Sequence, residues 1–166
     1  MCGICGIHWF DGERAVDRDL LGKMTHILEH RGPDDEGVHI EPALGLGHRR
    51  LSIIGLGDGH QPMSTEDGDL WIVYNGELYN HPEIRRELEG KGFRYRTSSD
   101  AESFLHLYRA YGLDFPEKTR GMFALALWDR RNRRLILARD RVGIKPLYYS
   151  YQPGVGIRFA SEIKSI

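Results

Sequence analysis

Met1-Cys2-Gly3-Ile4-Cys5-Gly6-Ile7-His8-Trp9 opens the chain. Its alternation of small and apolar residues predicts a strand. The thiol stands at position 2, directly behind a start methionine of the kind generally trimmed before a small residue. Trimming would make Cys2 the first residue and set its thiol beside a free α-amine. A terminal amine has a pKa of about 7.7–8 and an ordinary thiol about 8.5, so proton transfer from sulfur to nitrogen is nearly free at neutrality. The amine can then serve as general base, directly or through a water. A retained Met1 would convert it to an amide with no usable basicity.

The same stretch holds both cysteines of the chain, spaced C-x-x-C. A structural zinc site needs four ligands, and no second cysteine pair or spaced histidines complete one. A thioredoxin-like pair needs a helix N-terminus to activate one thiol. On a strand, Cys2 and Cys5 point to opposite faces. Cys5 is therefore expected to be a small buried core residue.

Outward from this strand the chain reads as one soluble domain of 166 residues, 40% hydrophobic and 28% charged. A net charge of −1 gives no field for nucleic acid or an acidic membrane. No apolar run is long enough to span a bilayer and no secretory signal is present, so a cytoplasmic location is expected. Asp17 is placed to cap a helix burying Leu20, Leu21, Met24, Ile27 and Leu28, ended by Gly32-Pro33. Strands are expected over 37–41 and 44–54, with Gly55-Leu56-Gly57-Asp58-Gly59 as a loop that lacks dinucleotide or Walker spacing. The Asp67-Gly68 turn precedes a strand over 70–74. Asn80 with Glu83, and Ser99 with Glu102, read as capping boxes opening two helices, the second burying Leu105, Tyr108 and Tyr111. Four strands follow, over 122–128, 135–139, 147–150 and 157–161. The arginine-rich turn Asp129 to Arg134 is expected to be a solvated hairpin tip rather than a nucleic-acid site. Many hairpin-linked strands with two or three helices make an α+β layered domain.

Eight blocks then occur in order. They are Met1-Cys2-Gly3-Ile4, His30 to Asp34, His48 to Ile53, Tyr74-Asn75-Gly76-Glu77-Leu78-Tyr79-Asn80 and Ser99 to Glu102. Arg120 to Ala124, Arg139 to Tyr149 and Ala160 to Lys164 complete the series. Over nearly its whole length the chain resembles the N-terminal glutaminase domain, a class II (type 2) glutamine amidotransferase, of asparagine synthetase. The resemblance implies an N-terminal-nucleophile hydrolase fold, a four-layer αββα sandwich with two stacked antiparallel sheets. It implies that Cys2 attacks the side-chain amide of L-glutamine, releasing ammonia and leaving a γ-glutamyl thioester for water to cleave. Asn75 and Gly76 would donate to the oxyanion, and glycine at 76 would let the backbone approach the substrate. Arg50 would grip the substrate α-carboxylate, with Leu51, Ser52, Ile53 and Ile54 lining the pocket. Glu77 and Asp100 would face the α-ammonium.

Four histidines, His30, His48, His60 and His81, are candidate bases, none of them required if the amine is free. Arg31 and Asp34 are expected to hold the pocket loop, and the blocks over 145–149 and 161–164 to support the core.

The family continues past Lys164-Ser165-Ile166 into a synthetase domain that binds ATP and magnesium, whose Ser-Gly-Gly-x-Asp loop this sequence lacks. Residues 1–166 are thus expected to be a glutaminase domain cut short at its C-terminal end, with no cofactor of its own and a synthetase domain or subunit as ammonia acceptor. Oligomeric state stays open, a homodimer included. Rival readings are a non-catalytic glutamine-binding module, a thiol redox protein, and a glutaminase serving another acceptor.

Overall fold

The alternating patterns resolve into nine strands and three α-helices among residues 1–51 and 58–166, which the computed structural model describes. β1 (Gly3–Trp9), β2 (Asp35–Glu41) and β3 (Leu44–Arg50) lie at the start of the chain, and β4 (Met63–Ser64) and β5 (Leu70–Leu78) follow. β6 (Gly121–Asp129), β7 (Arg134–Arg139), β8 (Tyr148–Gln152) and β9 (Gly156–Ala160) complete the set. They form two sheets, ordered β2-β3-β1-β9-β8 and β4-β5-β6-β7. Every pairing is antiparallel.

The period of two decides what each face meets. Ile4, Leu44, Leu46 and Phe159 of the first sheet pack against Val73, Ala124, Ala126 and Trp128 of the second, forming the buried layer between them. Cys5, Ile7 and Trp9 point the other way and pack with Leu21 and Met24 of α1 (Arg18–His26) and with Leu28. On the far side of the second sheet, Ile72, Tyr74, Phe123 and Leu125 meet Ile84 and Leu88 of α2 (His81–Gly90) and Phe104 and Leu105 of α3 (Ala101–Tyr111). The result is the αββα sandwich of the N-terminal-nucleophile hydrolases. Gly47 lets α1 sit close: a Cβ there would lie 2.2 Å from Thr25 Oγ1. No helix among the described residues is long and apolar enough to cross a membrane.

Several local expectations change. Asp17 does cap α1, accepting from the N–H of Asp19 and Leu20, but Ile27 falls beyond the buried stripe and is exposed. Neither capping box forms. Asn80 instead bonds the Lys118 carbonyl and the Arg120 N–H, each at 2.9 Å, tying the start of α2 to the approach to β6. Glu102 turns back to accept from the N–H of Arg96 and Thr97 and from the Thr97 hydroxyl. β5 runs four residues past the expected end at Tyr74, because Asn75, Gly76, Glu77 and Leu78 stay in register with Ala124, Phe123, Met122 and Gly121. Tyr148 and Tyr149, expected to support the core, are exposed on the edge strand β8. The 129–134 turn is a solvated tip whose Arg131 pairs with Asp69.

Candidate active site

The two sheets bring their inward faces together at one end, and a cavity opens there. Cys2 stands immediately before β1. The Gly3↔Arg49 register carries it alongside Arg50 and Leu51 at the end of β3. Asn75, Gly76 and Glu77 come from β5, and Asp100 from the residue before α3. All seven line the cavity. Ser52, Ile53 and Ile54, and Gly55 to Gly57 of the expected loop, lie outside the described residues.

The thiol is cradled by backbone. Leu51 N–H points to Cys2 Sγ at 3.4 Å, and the Leu51 carbonyl lies 3.7 Å away. Arg31 Nε donates to the Cys2 carbonyl at 3.0 Å, and Glu162 pairs with the same guanidinium. Arg31 thus fixes the nucleophile's own backbone, while Asp34 N–H bonds the Arg50 carbonyl. With Met1 in place the Cys2 nitrogen is an amide, and the Met1 side chain lies in the cavity.

Asn75 is buried, yet its Nδ2 has no hydrogen-bond partner among the described residues. A buried donor left unpaired costs about 1–3 kcal/mol, so such a group calls for a ligand. Gly76 faces the same cavity. Its partner Phe123 spends both backbone groups on Asp140 at its other side, so Gly76↔Phe123 is a non-hydrogen-bonded pair. The Gly76 N–H therefore points out of the ladder. A Cβ at 76 would lie 2.2 Å from the Met122 carbonyl oxygen. Glycine is demanded here by the neighbouring strand, and not only by the approach of a substrate.

The carboxylate of Asp100 does not cap its helix. Its Oδ2 accepts from the Tyr74 hydroxyl at 2.7 Å and from Leu78 N–H at 2.8 Å. Burial, reinforced by the Asp100 charge, pushes the Tyr74 phenol well above its ordinary value, so it remains a donor. Arg50 is buried at the cavity wall, and Glu77 is exposed at its rim. The four candidate histidines do not line the cavity. His30 pairs with Glu162, His60 with Asp35 and His81 with the Ser103 hydroxyl. His48, wholly buried, bonds the Tyr74 carbonyl at 3.1 Å, and burial lowers its pKa to about 4. Cys5, on the α1 side, contacts Thr25 Oγ1, and burial pushes its thiol up to about 12. Both cysteines are free, and no group of three or more potential metal ligands occurs among the described residues.

Three cavity residues, Tyr74, Gln61 and Lys145, had no part in the pocket on sequence grounds. Gln61 Oε1 accepts the Tyr74 N–H at 2.6 Å, which aligns β5 just ahead of Asn75. Lys145, expected to support the core, lines the cavity instead. Tyr74 opens the Tyr74–Asn80 block, but it ends an apolar alternation that signals only a core strand, so its bond to Asp100 could not be read from the sequence.

Comparison with known proteins bears on the same residues. The family model described as glutamine amidotransferase domain matches residues 1–166. The chain is 44% identical over 170 residues to glutamine-hydrolysing asparagine synthetase 1 of Bacillus subtilis, covering all of this chain and 26% of that protein. It is 42% identical over 168 residues to asparagine synthetase 2 of the same organism, covering 22% of it. The chain thus spans about a quarter of the length of these curated relatives. Among solved structures, glutamine phosphoribosylpyrophosphate amidotransferase from B. subtilis superposes with a TM-score of 0.77 at 21% identity, over 99% of this chain and 42% of that one. At that identity the likeness speaks for the fold alone, and it is the sandwich described above. The whole-length family match and the full coverage by the curated relatives lead to one statement: the chain belongs to the glutamine amidotransferase domain family.

Proposed function

We propose that this domain hydrolyses the side-chain amide of L-glutamine to glutamate and ammonia through a Cys2 γ-glutamyl thioester. The observation that carries the proposal is the unpaired, buried Asn75 Nδ2 sharing a cavity with the Cys2 thiol. Once Met1 is removed, the α-amine takes the thiol proton as sulfur attacks the amide carbon. Asn75 Nδ2 and the Gly76 N–H receive the developing oxyanion, and the protonated amine delivers its proton to the departing ammonia. Water then cleaves the thioester by the same route in reverse.

Arg50, buried at the wall, suits the α-carboxylate as a bidentate partner. Asp100, held at one oxygen by Tyr74 and Leu78, turns the other toward the α-ammonium, with Glu77 at the rim. Simple amides would be bound more weakly because they offer no ammonium to Asp100 and no carboxylate to Arg50. The resemblance to glutamine-hydrolysing asparagine synthetases supports a larger role, in which the ammonia passes to a synthetase domain or subunit that uses ATP and magnesium to make asparagine in the cytoplasm.

The test is glutamate release by the chain and by Cys2→Ala, with intact mass establishing loss of Met1. Cys2-dependent release is expected. Equal release by both proteins would remove Cys2 from the nucleophile's role. A folded, trimmed chain that releases nothing would favour a glutamine-binding module.

A further inference from the structure

Lys145 lies in the turn between β7 and β8 and is only 6% exposed. Its ammonium meets a single partner among the described residues, the Met1 thioether sulfur at 3.2 Å. Thioether sulfur is a weak acceptor, and Lys145 pairs with no carboxylate among the described residues. A buried cation without a counter-ion is costly, so its place in the cavity needs a reason.

Removal of Met1 supplies one. The cleavage takes away the one partner that the ammonium has among the described residues and creates a second amine in the same space. A methionine side chain places its sulfur within about 6 Å of the next residue's nitrogen, so the two nitrogens would stand no more than about 9 Å apart. We propose that Lys145 is the positioning charge of the terminal amine: its ammonium opposes protonation of the Cys2 α-amine and keeps that amine a free base near neutral pH. The inference rests on the proposed terminal-amine chemistry and extends it to a residue outside the substrate contacts.

The surrounding charges leave this role to Lys145. Arg31 reaches the Cys2 carbonyl and is paired with Glu162, a carboxylate it shares with His30 and Lys164. In the proposed pose Arg50 from β3 takes the substrate carboxylate, while Glu77 from β5 and Asp100 ahead of α3 share the single substrate ammonium. The Tyr74 phenol is held well above its ordinary pKa and stays neutral. With glutamine seated, Lys145 is a buried cavity cation that meets no carboxylate among the described residues. A unit charge at that distance in a partly buried site moves a neighbouring amine's midpoint by about one pH unit. The sign is fixed: a nearby cation disfavours the protonated amine, so the midpoint falls, and deleting the cation raises it.

The experiment is competitive acetylation of the Cys2 α-amine in the trimmed chain, read by mass on the N-terminal peptide across about pH 5 to 9. Wild type, Lys145→Met and Lys145→Arg are compared, with the pH profile of kcat/KM measured in parallel. Lys145→Met is expected to raise the acetylation midpoint by about one unit and to move the acidic limb of kcat/KM with it. Lys145→Arg should restore both. An unmoved midpoint in Lys145→Met overturns the inference, whether activity is kept or lost equally at every pH. Acetylation titrates the amine whether or not glutamine is turned over, so failure of the glutaminase reading shows separately, as turnover that does not depend on Cys2.

Discussion

At the scale of single residues the cavity is built from groups whose bonding is deliberately incomplete. Tyr74 and Leu78 both occupy Oδ2 of Asp100, and that choice orients the carboxylate before any ligand arrives. Tyr74→Phe removes one of the two anchors while keeping the ring among its apolar neighbours. Loss of a hydrogen bond to a charged group is worth about 1.5–3 kcal/mol. The expected result is a KM for glutamine raised by about tenfold or more with kcat held, and weakened discrimination against 4-carbamoylbutanoate, which lacks the α-amine. A fall in kcat with unchanged KM would show instead that Tyr74 serves the backbone of Asn75. Cys2, Arg50, Asn75 and Asp100 were legible as residues because each stands in a motif that names its chemistry. The parts of Tyr74 and Lys145 in the cavity were not, although both stand in quoted blocks, since each meets a partner far away in the chain, Asp100 in one case and the N-terminal residue in the other.

Secondary-structure elements show where local patterns mislead. The alternation of β1 placed Cys2 and Cys5 on opposite faces correctly, because a pleat has no freedom to do otherwise. The capping boxes failed for a different reason. Glu102 is buried, and a carboxylate there is satisfied better by the three donors of the preceding segment than by one amide at position 99. Burial alone would raise its pKa; the neighbouring His106 imidazole and bonds from Thr97 and the Arg96 and Thr97 amides hold it down near 2. A carboxylate depressed in the folded state contributes stability above its unfolded pKa near 4.5, and that contribution is lost as pH falls toward 2. Glu102→Gln is expected to lower stability at neutral pH by about 1–3 kcal/mol and to shrink the loss between those two pH values. Urea unfolding of both proteins across that range measures it. The length of β5 was also hidden, because Asn-Gly ordinarily signals a turn and only pairing with β6 keeps it extended.

The whole molecule is two sheets pressed together, and His48 is a polar stitch between them, from β3 of one to the Tyr74 carbonyl of the other. Its pKa, lowered by burial from 6.5 to about 4, means the folded protein holds it neutral where the unfolded chain would protonate it. The unfolded state therefore binds the extra proton between those values, and stability falls as pH drops through that window, by about 3 kcal/mol in all. His48→Gln should flatten this part of a stability-against-pH curve measured by denaturant unfolding, and an unchanged slope would assign the loss elsewhere. The layered architecture was legible in the sequence from hairpin spacing and alternation. The pairing of layers was not, because nothing in a strand's pattern says which of its faces meets a helix and which meets the other sheet.

The opposite facing of the two cysteines has a redox consequence. An oxidant that reaches Cys2 would form a sulfenic acid, and relief of that state requires a second thiol within reach. Cys5 is sealed on the α1 side of the sheet with its proton held tightly. These 166 residues hold no other sulfhydryl. Within these 166 residues an oxidised nucleophile therefore has no resolving partner, and a thiol that restores it must enter the Cys2 cavity from outside them.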